Sequence, residues 1–90
     1  LPALLLAAKM RYRATHGQVG VPVVADSVAQ VASRALAEVG PEGLGELLLA
    51  LAADATDRGQ DAESALRAAL RGYDRRVREA EPTRVPGPTA

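Results

Sequence analysis

Apolar residues recur along this chain at helical spacing, and the breaks between the runs fall at glycine and proline. Leu1, Leu4, Leu5, Ala8 and Tyr12 make a first stripe, with Pro2 in the opening turn, where its missing N–H costs nothing. A helix is therefore predicted from Leu1 to near Thr15, closed by Gly17, and Gly17-Gln18-Val19-Gly20-Val21-Pro22 reads as a connector. Val28, Val31, Ala32, Ala35 and Val39 form a second stripe behind a candidate cap at Asp26 or Ser27, and Gly40-Pro41 stops it. The third helix is predicted to open at Glu42, whose carboxylate suits the positive end of a helix. It carries Leu44, Leu47, Leu48, Leu51 and Ala55 on one face and ends at Gly59. Leu49, Ala50 and Ala53 lie on roughly its opposite side, so this helix is apolar on two faces.

Asp61 is placed to cap a fourth helix bearing Ala62, Ala65, Leu66, Ala69, Tyr73 and Val77, with Arg75, Arg76 and Arg78 toward its negative end. Gly72 weakens that helix by about 1 kcal/mol relative to alanine. From Pro82 onward no apolar period remains. The expected fold class is all-α: a helical domain of four helices over residues 1–81, then a flexible, proline-rich tail over residues 82–90.

Composition narrows this picture. Ninety residues make one small domain, which buries a smaller share of its surface than a large one. Without cysteine, disulfides cannot compensate, so close helix packing or association with another chain is the expected remedy. Aromatics are 2% of residues, so the core must be built from Leu, Val and Ala. Eleven basic residues balance eleven acidic ones, leaving no net field to attract nucleic acid or an anionic membrane. The longest apolar runs, Leu4 to Ala8 and Leu47 to Ala53, are far shorter than the roughly 20 residues of a membrane span. A cytoplasmic, soluble protein is the expectation. Lys9 is the only lysine, and Ala, Arg, Val and Gly are abundant, a usage typical of GC-rich bacterial genomes. The opening Leu1-Pro2-Ala3 follows neither an initiator Met nor a basic segment, which suits the C-terminal part of a longer protein better than a signal peptide.

Periodicity alone says nothing about what a helical bundle does. Three stretches carry more: Leu1-Pro2-Ala3-Leu4 with Lys9; Glu42-Gly43-Leu44-Gly45-Glu46-Leu47-Leu48-Leu49-Ala50; and Asp61-Ala62-Glu63-Ser64-Ala65-Leu66-Arg67 followed by Tyr73-Asp74-Arg75-Arg76. In order and spacing they resemble the landmarks of the C-terminal MazG-type domain of nucleoside triphosphate pyrophosphohydrolases, over nearly all the chain up to Glu81. The resemblance implies a four-helix MazG-like module in an intertwined helical dimer. It also implies cleavage of a nucleoside triphosphate to the monophosphate and pyrophosphate, with Mg²⁺ as cofactor.

That chemistry needs clustered carboxylates, because Mg²⁺ takes hard oxygen ligands and bridges the phosphates. The family's pattern E-E-x-x-E falls on Arg34-Ala35-Leu36-Ala37-Glu38, and its E-x-x-D on Gly43-Leu44-Gly45-Glu46. Only Glu38 and Glu46 keep a carboxylate, so these two are the remnant metal positions and no catalytic residue is assigned. Arg34 puts a fixed positive charge where the pattern has an acid. It stands at i, i+4 from Glu38, so an ion pair that neutralises the remaining carboxylate is expected. The implied role is a non-catalytic module that dimerises or supports an active MazG-type domain upstream.

Two other functions stay open. One is residual Mg²⁺-dependent hydrolysis with ligands shared across an interface. The other is an unrelated helical interaction module, such as a helix-turn-helix across helices two and three, although Glu42-Gly43-Leu44-Gly45-Glu46 offers no basic or amide side chain to DNA. His16 has no second His and no Cys with which to form a metal cluster and reads as a surface residue. Arg71, Arg75, Arg76 and Arg78 could meet phosphates, but basic residues are favoured near a helix C-terminus in any case.

Overall fold

A computed structural model describes residues 1–17 and 20–81. The tail expected at 82–90, and Gln18 and Val19 of the connector, lie outside the described residues. Among the described residues the structure is helical throughout: α1 (Ala3–His16), α2 (Asp26–Val39), a 3₁₀ turn (Pro41–Gly43), α3 (Leu44–Asp57) and α4 (Ala62–Ala80).

The helices join as two pairs. Ala3 donates its backbone N–H to Glu63 at 3.1 Å and Arg67 donates to the Leu1 carbonyl at 2.6 Å, so the two N-terminal ends of α1 and α4 meet. Arg13, Ala14 and Gly17 lie beside Val77, Arg78 and Glu81 at the other end. The pair is therefore parallel, and the intervening α2 and α3 carry the chain back to the start. Those two helices form a hairpin around Gly40-Pro41; α3 meets α4 near the turn that joins them, while α2 packs along neither α1 nor α4.

The core sits in the α1–α4 seam. Ala3, Ala14, Leu70 and Tyr73 are buried, with Leu6, Ala7, Met10, Leu66 and Val77 half-buried beside them. On α1 the inward residues are Ala3, Leu6, Ala7, Met10 and Ala14, at the spacing of one helical face. The stripe expected to be buried, Leu1, Leu4, Leu5, Ala8 and Tyr12, points the opposite way and is exposed, Leu1 at 67% and Tyr12 at 63%. Small residues explain the reversal: Ala3, Ala7 and Ala14 let α4 approach closely, and bulky leucines would hold it off. On α4 the seam uses Leu66, Leu70, Tyr73 and Val77, whereas the expected Ala62, Ala65 and Ala69 are exposed.

Local signals explain the helix ends. Gly40 and Gly59 have φ of +72° and +77°, which only glycine adopts without strain, and both follow a helix. Asp61 caps α4, accepting from the backbone N–H groups of Glu63 (3.0 Å) and Ser64 (3.3 Å). The cap expected on α2 does not form: Ala25 holds that position, no side chain bonds the free amides, and Asp26 already lies in the first turn. Glu42 falls in the 3₁₀ turn rather than in α3, because Pro41 tightens the chain there.

The cap on α4 makes stability depend on acid. Hydrogen bonds from the Ser64 N–H, the Ser64 hydroxyl and the Glu63 N–H together hold the exposed Asp61 carboxyl below its ordinary pKa, against a smaller opposing effect of desolvation. A carboxylate with a depressed folded-state pKa stabilises fully above its unfolded value, about 4, and loses that contribution as pH falls through the folded value. We expect the wild-type melting temperature to exceed that of Asp61→Asn by a margin that is constant near neutral pH and closes below about pH 4. Thermal melts followed by circular dichroism check this, and a margin unchanged at low pH would remove the cap from the account.

Candidate functional site

The hairpin between α2 and α3 brings Glu38, near the end of α2, and Glu46, in the first turn of α3, to the same end of the molecule. Both side chains are exposed. The ion pairs among the described residues are Arg58–Asp54 (3.2 Å), Arg67–Glu63 (2.9 Å) and Arg78–Asp74 (3.1 Å), each at i, i+4. The pair expected between Arg34 and Glu38 is not formed. Arg34 instead borders a shallow depression on α2 with Asp26, Ala29, Gln30 and Ser33. Exposed pairs of this kind are worth under about 1 kcal/mol, so the spacing permits a pair without requiring it.

Gly43 is more telling than a missing carboxylate. A Cβ built on it would lie 2.6 Å from Val39 Cβ and 3.1 Å from a Val39 methyl, so any side chain there must displace the end of α2 or the turn. The hairpin closes through it, with the Gly43 N–H donating to the Gly40 carbonyl at 3.1 Å.

Glu38 and Glu46 are thus brought to one end of the hairpin, with Glu42 in the turn between them, and among the described residues no group of three His, Cys, Asp or Glu is placed to hold a metal ion. The two carboxylates stand exposed on separate helices, and Gly43 between them is closed to a side chain. His16 is exposed, its Nδ1 2.9 Å from the Tyr12 carbonyl and its ring stacked on Tyr12 at 3.8 Å.

Arg76 reaches from α4 to the connector, donating to the carbonyls of Val23 (2.8 Å) and Pro22 (3.5 Å), and its guanidinium lies 6.0 Å from the Tyr73 ring centre. It fastens the strand of chain that leads into α2. Helix-terminus electrostatics accounts for none of this, and the spacing of Arg76 in the sequence could not reveal it.

The α1–α4 seam holds what sequence reasoning missed. A cavity of about 230 Å³ opens between the C-terminal halves of α1 and α4 and is bordered by Tyr73, a residue 2% exposed whose buried hydroxyl has no hydrogen-bond partner among the described residues. Arg13 stands on the α1 side. The only sequence signal for this place is the spacing of Met10, Ala14, Tyr73 and Val77, and it becomes visible once α1 is known to present its alanines inward.

No described helix is long and apolar enough to cross a membrane. Neither a family model, nor a curated protein, nor a solved structure matches this chain.

Proposed function

We propose that the chain is a MazG-type helical module of a nucleoside triphosphate pyrophosphohydrolase that has given up its own metal site and serves dimerisation or the support of an active domain of the same type. The observation that carries this reading is the surplus of apolar surface: among the described residues fourteen large hydrophobic residues are exposed, whereas Leu70 and Tyr73 are the only large ones buried. They group on the outer face of α1 and on the α2–α3 hairpin, the two places where a helical partner would lie. The closed position at Gly43 supports the non-catalytic half of the reading, and the quoted landmark residues support the family.

One observation favours a second reading. Glu38 and Glu46 are exposed and outside any ion pair among the described residues, so both remain free to complete a Mg²⁺ site with acids from another chain. Pyrophosphate release decides between them. Incubated with Mg²⁺ and each of several nucleoside triphosphates, the purified chain should release no more pyrophosphate than a no-protein control. Turnover above that control that disappears in Glu38→Ala would establish the second reading instead.

A further inference from the structure

We propose that the outer face of α1 docks, antiparallel, on the outward side of α3 in a second copy of this chain. The contact rests on the dimerising half of the reading above and not on its nucleotide chemistry. Helix α1 turns Ala3, Ala7, Met10 and Ala14 into the seam and leaves Leu1, Leu4, Leu5, Ala8 and Tyr12 as an exposed stripe. With roughly 3.6 residues per turn, Lys9 and Arg11 fall on opposite flanks of that stripe, and both are exposed. Residues 1–25 hold three basic side chains, Lys9, Arg11 and Arg13, and no acid.

Helix α3 offers the complement. Its half-buried residues are Leu47, Ala52 and Ala55, and the side turned away from them carries Leu49, Ala50 and Ala53 between Glu46 and Asp57, all exposed. Residues 26–58 hold six acids against two bases, Arg34 and Arg58, and Arg58 is taken by Asp54. Lys9, Arg11, Glu42, Glu46 and Asp57 enter no ion pair among the described residues. Of the acids that α4 presents beside α1, Glu63 and Asp74 are engaged by Arg67 and Arg78, and Glu81 borders the same cavity as Arg13.

A leucine ridge flanked by bases fits a shallow alanine strip flanked by acids in shape and in charge. Antiparallel docking sets the basic second half of α1 over Glu42 and Glu46, and its leucines over Leu49, Ala50 and Ala53. Asp57 then meets the positive N-terminal end of α1. Both helices are 14 residues long, so the two stripes match in length. Each chain carries both faces, so two copies can make the contact twice. A lipid surface would use the leucines and bases of α1 but leave the α3 strip in water.

Charge exchange tests this, read by analytical ultracentrifugation with EDTA present so that no metal on Glu38 and Glu46 bridges copies. Lys9→Glu with Arg11→Glu should weaken dimerisation by about tenfold or more, because attraction across the contact becomes repulsion. Glu42→Lys with Glu46→Lys should do the same. Every substituted side chain is exposed, and circular dichroism should show the helices unchanged. An equal mixture of the two variants should associate within about threefold of wild type, since each meets the opposite charge in its partner. Arg71→Glu with Arg75→Glu shifts the net charge equally from α4 and should leave the dimer alone. A wild-type dimer unmoved by either pair, a mixture no tighter than its components, or an α4 pair that weakens association equally overturns the contact and leaves dimerisation through another face standing. Wild type that stays monomeric at high concentration overturns the contact and the dimerising half of the reading together. If the α1 pair spares the dimer but abolishes binding to phosphatidylserine vesicles, the outer face of α1 serves a lipid surface and the proposal falls.

Discussion

Tyr73→Ala is expected to cost about 3–5 kcal/mol, the range for deleting a buried aromatic ring, and so to leave the chain largely unfolded. The reason is how little else holds the seam. Only Ala3, Ala14 and Leu70 are buried with Tyr73, and two of these are alanines that contribute little surface of their own. The ring spans the space that the small residues of α1 leave open, so its loss removes the contact by which α1 and α4 recognise each other. Tyr73→Phe should be neutral or slightly stabilising, because it removes a hydroxyl that has no partner while keeping the ring. Urea titrations followed by circular dichroism check both variants. A Tyr73→Ala chain that melts cooperatively within about 1 kcal/mol of wild type would show that the seam is not the core.

What the sequence made legible is mostly local. Gly40-Pro41, Gly59 and Asp61 act within a turn or two of chain, and each terminates or caps a helix where expected. The faces of the helices were harder. On α1 the bulky stripe and the alanine stripe are both apolar, so periodicity fixes the helix and not the side that turns inward. Packing chose the smaller residues, because a close parallel pairing with Leu70 and Tyr73 needs them. On α4 the stripe of Ala62, Ala65, Leu66, Ala69, Tyr73 and Val77 contains three of the four seam residues, Leu66, Tyr73 and Val77, but passes over the buried Leu70.

The candidate metal positions behave in the same way. Sequence shows that Glu38 and Glu46 are the acids left, and the hairpin does bring them to one end. What spacing could not show is that Gly43 is held against Val39, so a glycine there goes with how the hairpin closes. Nor could it show that Arg34 leaves Glu38 alone: an i, i+4 position permits an ion pair without compelling one, and in water the choice is decided by less than about 1 kcal/mol.

Val31→Asp should convert an associated form of this chain into monomer while leaving its helices intact. Val28, Val31, Ala32, Ala35 and Val39 make one face of α2, yet Val31 is 61% exposed and Val28 54%, and only Ala35 on that face is half-buried. Helix α3 repeats the pattern: Leu51 is 59% exposed on one side and Leu49 70% on the other. Among the described helices α2 packs only on the hairpin, which leaves these residues uncovered by them. If two hairpins close on each other, as the proposed family membership implies, each large aliphatic side chain taken from water contributes about 1.5–3 kcal/mol. An aspartate at position 31 would forfeit that and leave a charge without a partner in the apolar interface. Dimerisation should therefore weaken by at least about 100-fold, the equivalent of roughly 2.7 kcal/mol. The same substitution should hardly change the stability of a monomer, because the site is already solvent-facing within one chain. Light scattering over a dilution series measures the mass, and circular dichroism of the same samples reports whether the helices persist. If wild type stays a cooperatively melting monomer at high concentration, the exposed faces of α2 and α3 are not an interface between copies of this chain.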